Sequence, residues 1–335
     1  MSLESRIPLP DVKGRIDHLS VDVNGQRLFV PAVDNHTLEV IDLKSEKRIH
    51  TITNLAEPQG VFYDASTNRL FVACALDGVA KILDGTTFQV LATVKFPDDA
   101  DNIRYDSHSR NVIVGYAGAK HLRKRETGSG GLGFLDTDGQ KVSDIVIDAH
   151  PESFQIEKAG SRLFVNVPEK KEIEVVYAVK RSVMTRWPMV EENNFPMALD
   201  ETHRRLFVAC WEPSQLIVFD TQTGRKIAAG EIAGPSDDLL SFRFSGLGRS
   251  LNAGQMYCHA TIPQTAKPNV TLIPNKTADG MIRPFGRWLS SRMAASNSLF
   301  SFTSQSWTRL ATLSRGESLS STKTAPVVHV CRTST

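Results

Sequence analysis

Two adjacent columns of side chains recur along this 335-residue chain, and both are rich in groups that hold cations or move protons. The first column runs Asp17, Gln59, Asp101, Glu152, Phe195 and Asp237, with Asn194 immediately before the phenylalanine. The second runs His18, Gly60, Asn102, Ser153, Pro196 and Asp238. Carboxylate and amide oxygens in such numbers suit Ca²⁺ or Mg²⁺, and a mixed His/Asp set suits Zn²⁺ or Mn²⁺. His18 and Glu152 are the candidate proton-transfer groups, since either side chain can be tuned near neutrality. Like charges about 9 Å apart repel by about 2 kcal/mol per pair at an effective dielectric near 20. Several acids gathered at one place therefore need a cation, water or raised pKa values. Two readings compete: a specific site for a polar ligand or cation, and polar residues that merely cap strand ends and bind water. Phe195 interrupts the series in either case.

These columns appear when the chain is aligned on a repeat. An apolar core recurs as Leu28-Phe29-Val30, Leu70-Phe71-Val72, Val112-Ile113-Val114, Leu163-Phe164-Val165 and Leu206-Phe207-Val208, at spacings of 42, 42, 51 and 43 residues. A second core follows in phase: Val40-Ile41-Asp42, Ile82-Leu83-Asp84, Phe134-Leu135-Asp136, Val175-Val176-Tyr177 and Val218-Phe219-Asp220. Residues 59–94 show the whole unit, four short strands separated by tight-turn dipeptides such as Asp77-Gly78 and Asp84-Gly85. A period near 42 with four strands per period is the signature of a β-propeller, one sheet per blade around a central channel. In that fold the segments entering each first strand gather at one mouth of the channel, which would bring the two polar columns together. An acid and an arginine also flank the turn before each second strand, as in Asp22/Arg27, Asp64/Arg69, Asp106/Arg110, Glu157/Arg162 and Asp200/Arg205. They read as turn-capping acids with surface ion pairs.

Asp-His-Leu-Ser-Val-Asp (17–22), Glu-Val-Ile-Asp-Leu (39–43), Glu-Pro-Gln-Gly-Val (57–61), Asp-Asp-Ala-Asp-Asn (98–102), His-Pro-Glu-Ser-Phe (150–154) and Asn-Phe-Pro-Met-Ala-Leu-Asp (194–200) resemble the YVTN-repeat, YncE-like β-propeller proteins. The resemblance covers roughly residues 3–240. It implies seven blades, export to the periplasm or exterior, and a binding or scaffold role without assigned catalysis. Five blades are complete, at about 18–54, 59–97, 101–148, 152–190 and 195–233, and a sixth begins at Asp237. Residues 3–9 read as a closing strand donated to a last blade, an arrangement that removes exposed sheet edges.

The pattern stops after residue 240. Residues 1–240 hold 35 acidic and 28 basic residues, whereas 241–335 hold 2 and 11, and Ser and Thr make up 26 of those 95. The expectation is an irregular or disordered segment with little regular structure after about 245. A sharper expectation is a shifted reading frame. Read two bases on, Trp307-Thr-Arg-Leu-Ala-Thr-Leu-Ser-Arg-Gly can encode Asp-x-Leu-x-Tyr-Ala-Val-Pro-Arg, similar to a seventh-blade strand of the family.

Other features add less. The insertion Lys120-His-Leu-Arg-Lys-Arg reads as a solvated hairpin loop, and nucleic acid is disfavoured as a partner because the basic tail reads as a shifted frame. Gly128-Ser-Gly-Gly-Leu-Gly133 leads into a strand, where a dinucleotide site requires a helix. Cys74 and Cys210 read as small buried residues. With no signal peptide and no apolar run near 18 residues, the chain as written is expected in the cytoplasm, against the exported placement that the resemblance implies. Three function classes follow: a propeller binding a protein or small-molecule ligand, a metal-dependent lactonase- or hydrolase-type propeller enzyme, and a nucleic-acid binder.

Overall fold

The computed structural model describes residues 2–118, 128–158, 162–232, 239, 256–261, 269–274, 300–301, 309–314 and 327–332. Its strands follow the repeat. After β1 (Ser2–Pro8), the first sheet is β2 (Ser20–Asp22), β3 (Arg27–Ala32), β4 (Thr37–Asp42) and β5 (Lys47–Ile52). The second is β6 (Pro58–Asp64), β7 (Arg69–Cys74), β8 (Val79–Asp84) and β9 (Val90–Lys95). The third is β10 (Asp98–Asp106), β11 (Asn111–Ala117), β12 (Gly130–Leu135) and β13 (Lys141–Ile147). The fourth is β14 (Ser153–Ile156), β15 (Arg162–Val167), β16 (Glu172–Tyr177) and β17 (Ser182–Pro188). The fifth is β18 (Glu192–Asp200), β19 (Arg205–Glu212), β20 (Ser214–Asp220) and β21 (Lys226–Glu231). Each is a meander whose strands pair in chain order. Among the described residues there is no α-helix, only two 3-10 turns at Val33–Asn35 and Pro168–Lys170, and no helix able to cross a membrane. The fold is a β-propeller of four-stranded blades.

Burial explains the repeated core. The second strand of each sheet is covered on both faces, so its residues run apolar without alternation: Leu28-Phe29-Val30 and Leu70-Phe71-Val72 are fully buried. Fourth strands alternate with solvent, as in β9 and β17. Phe29, Leu38 and Val40 of the first sheet pack on Val61, Leu70 and Val72 of the second. Phe71 and Ile82 pack on Ile103, Val112 and Val114 of the third, and Ile113, Leu132 and Phe134 on Phe154, Leu163 and Val165 of the fourth. Each large side chain so buried stabilises the fold by about 1.5–3 kcal/mol. Neither Cys74 nor Cys210 is in a disulfide, and both are buried.

Residues 12–195 form one compact unit; residues 1–11 and 196–335 form another. In the latter, β19 and β20 of the fifth sheet pack Phe207, Ala209, Leu216 and Val218 with Leu239. Beyond residue 245, where the sequence suggests little regular structure, five strands are described: β22 (Met256–Thr261), β23 (Asn269–Pro274), β24 (Phe300–Ser301), β25 (Arg309–Ser314) and β26 (Val327–Arg332). β22 pairs with β23. The N-terminal strand joins the C-terminal ones in the order β1-β26-β25-β24. The basic insertion 120–125 and the start of the sixth repeat at Asp237-Asp238 lie outside the described residues.

Turn acids divide. Asp22 accepts from Arg27 Nε at 3.0 Å, and Glu157 from Arg162 Nε at 2.9 Å, as the sequence suggests. Arg69 instead bonds the Thr137 carbonyl and Asp138 of the third sheet, and His203 Nδ1 also meets Asp200 at 2.7 Å.

Candidate functional site

Local backbone irregularity places the polar columns. In the second and third sheets the ladder register shifts between Pro58 and Val61 and twice between Asp98 and Ile103. Gln59 and the pair Asp101-Asn102 therefore sit at bulges, which re-aim side chains at strand ends. Glu57, Asp99 and Asn193 take left-handed φ values of 56°, 31° and 56°, a conformation that costs about 1–2 kcal/mol for a residue with a Cβ. Gly60 is required by close approach: a Cβ there would lie 2.1 Å from the Asp101 carbonyl oxygen.

Four of the nine predicted residues, Asp17, His18, Gln59 and Asn102, are linked in one network inside residues 12–195, and Asp101 and Glu152 lie near enough to act on it electrostatically. Arg15 Nη1 pairs with Asp17 at 3.1 Å, and Arg15 Nη2 donates to Gln59 Oε1 at 2.7 Å. Gln59 Nε2 donates to Asp99 at 3.3 Å. His18 lies 3.5 Å from Asp17 through Nε2, which also meets the Asn102 amide nitrogen at 2.9 Å. His150 and Glu152 approach to 3.6 Å. Asn194 belongs to an adjoining group: its amide donates to Asn166 Oδ1 and to the Glu172 carbonyl, both at 3.1 Å, and Asn166 reaches Ser153 at 3.1 Å. Asp237 and Asp238 lie outside the described residues.

Charge is unevenly compensated. Burial, then the carboxylate of Asp17, push the Asp101 carboxyl up to about 8, against the opposing effect of His18. Burial alone would depress the His150 imidazole, but Glu152, Asp99 and Asp101 outweigh it and carry it up to about 10. Near neutrality the site holds a protonated acid and a buried imidazolium among further carboxylates. Three oxygens, Asp101 Oδ1, Asn102 Oδ1 and Asn194 Oδ1, are buried with no hydrogen-bond partner among the described residues. Each leaves about 1–3 kcal/mol of desolvation uncompensated until a donor or cation arrives.

Arg15, Asp99 and His150 escaped the sequence reading. All three lie two positions before a first-column residue, so side-chain alternation along an extended segment puts them on the same side. Applying that period of two to the column would have found them.

One group of three His, Cys, Asp or Glu among the described residues brings its ligand atoms within 4.8 Å: Asp148, Glu172 and Glu174, none of them predicted. Burial pushes both glutamates above the usual carboxylate range.

No family model matches the sequence, and no curated protein matches it. In structure the chain is similar to hydrazine synthase of Kuenenia stuttgartiensis, with a TM-score of 0.62 over 80% of this chain and 85% of that one. Sequence identity is 13%, so the likeness is one of fold.

Proposed function

We propose that the protein is a binding propeller whose mouth, built on Asp17, His18, Gln59, Asp101, Asn102, Glu152 and Asn194, takes a small polar ligand rich in hydrogen-bond donors. The orphaned oxygens of Asp101, Asn102 and Asn194 carry this reading. The two amide oxygens can only accept, so they call for hydroxyl, ammonium or metal partners, whereas the Asp101 carboxyl, protonated near neutrality, can also donate. Asp237 and Asp238 hold the corresponding repeat positions in the sequence. A Ca²⁺ or Mg²⁺ ion held there would draw on the amide oxygens, because among the described residues no three acidic or imidazole ligand atoms of these columns converge. The blade motifs support a place among YVTN-repeat, YncE-like propellers, and with it a binding or scaffold role at the periplasmic or outer face of the cell.

The test is a crystal structure of the protein soaked separately with erythritol, putrescine and CaCl₂, paired with calorimetric titration of each. Binding of one probe against the three oxygens, lost in Asn102→Leu, supports the reading. Ordered waters alone on all three oxygens, with no heat from any probe, would sink it.

A second reading rests on one observation. Asp101 held protonated near neutrality is suited to general-acid work beside His18. A hydrolase- or lactonase-type propeller would then open a simple γ-lactone, and Asp101→Asn would abolish turnover while leaving binding.

A further inference from the structure

Outside the mouth, an acidic cluster on the fourth sheet has the composition of a cation site. We propose that Asp148, Glu172 and Glu174 bind a hard divalent cation, calcium first, in competition with the guanidinium of Arg186. Asp148 follows β13, whereas Glu172 and Glu174 stand two residues apart on β16 and so face the same way. One oxygen from each lies within 4.8 Å of the others. Two oxygens bound to one Ca²⁺ at about 2.4 Å are at most about 4.8 Å apart, so the three span a single ion.

Arg186 does not satisfy them. Paired opposite Glu174 on β17, it bonds Asp148 Oδ2 at 2.8 Å but stays 3.7 Å from Glu172 and 3.9 Å from Glu174, beyond hydrogen-bond range. The Glu174 side chain is fully buried. Its Oε1 accepts from the Asp148 backbone at 3.0 Å, while Oε2 has no hydrogen-bond partner among the described residues.

A second glutamate at the same repeat position shows what a purely structural role looks like. Glu39 on β4 is as buried as Glu174, yet it accepts from Thr37 Oγ1 at 2.7 Å, Thr51 Oγ1 at 2.6 Å and Arg48 at 3.2 Å. Both of its oxygens are bonded. In the fourth sheet the Thr37 position holds Glu172, and the Thr51 position holds Arg186. A donor has been replaced by a second acid, and Asp148 adds a third. Three carboxylates against one arginine favour a divalent ion. An all-oxygen, partly exposed set suits calcium better than zinc, which prefers nitrogen and sulfur ligands, or magnesium, which keeps most of its waters.

The experiment is calorimetric titration of chelator-treated full-length protein with CaCl₂, alongside the unfolding midpoint with and without the metal. One calcium per chain is expected, with a raised midpoint. Asp148→Asn and Glu174→Gln should each weaken Kd at least tenfold, and Arg186→Gln should tighten it by removing the resident cation. If Glu174→Gln fails to fold, the half-exposed Asp148 carries the test. Binding that survives the Asp148 variant, or no binding by either the native protein or Arg186→Gln, overturns the proposal. Loss of calcium in Asp101→Asn with retention in Asp148→Asn would place the ion at the mouth and overturn it equally.

Discussion

Replacing Asp101 by asparagine should make the protein more stable at neutral pH and flatten its response to alkali. The carboxyl sits at about 8 in the folded protein against 3.8 for the free side chain, so the folded state keeps a proton that the unfolded state releases. Such a raised group favours the fold fully only below pH 3.8, and the advantage drains as pH rises toward 8. The slope approaches 1.36 kcal/mol per pH unit for one proton, which amounts to about 4 kcal/mol by pH 7. His150, at about 10 against 6.5, adds a second retained proton between pH 6.5 and 10. Native stability should therefore fall by about 2.7 kcal/mol per unit between pH 6.5 and 8, where the two windows overlap. Asparagine keeps the shape and neutrality of the protonated acid but has no proton to lose. His150 loses only the smallest of its raising influences, so its own step survives. Urea unfolding of chelator-treated protein, followed by tryptophan fluorescence from pH 4.5 to 8.5, measures both. Between pH 6.5 and 8 the variant should be half as steep as native. Parallel native and variant profiles would mean that Asp101 is ionised in the fold, and the electrostatic account of the mouth would be wrong.

Gly60→Ala must push the second sheet's entry away from the Asp101 carbonyl 2.1 Å from the new Cβ; we expect a loss of about 2 kcal/mol or more in urea unfolding, together with loss of any probe bound at the mouth. Thr51→Val removes a 2.6 Å donor from fully buried Glu39 and should cost about 1–3 kcal/mol by the same assay, with recovery in Thr51→Ser. Burial pushes the Cys74 thiol up to about 12, so an aromatic disulfide reagent at pH 8 should modify it only at the rate of unfolding; rapid labelling of native protein at Cys74 would contradict its place in the core.

The blades were legible because their signal is geometric and redundant. Leu-Phe-Val recurs where a second strand is covered on both sides, and Val-Ile-Asp recurs where a third strand ends in an Asx turn; Asp42, Asp84 and Asp220 each accept backbone N–H groups two or three residues on. The candidate site was legible only along the column that alignment exposed. Asp17, Gln59, Asp101 and Glu152 were found because they share an offset from a turn acid. Their counter-charges Arg15 and His150 were not, since a basic residue in an acidic column looks like noise until two-residue alternation is imposed. The acidic trio was further out of reach. Asp148 belongs to the third sheet's exit and the glutamates to the fourth, and only packing of one sheet on the next brings a residue 24 positions away to Glu172. Glu39 and Glu174 occupy one repeat position and read alike in sequence. What separates them is whether the neighbouring strands supply hydroxyl donors or further acids, and that depends on cross-strand register, as in Glu39 opposite Thr51 and Glu174 opposite Arg186. In a repeat protein, function is therefore sought where one copy breaks the hydrogen-bond pattern that its siblings keep.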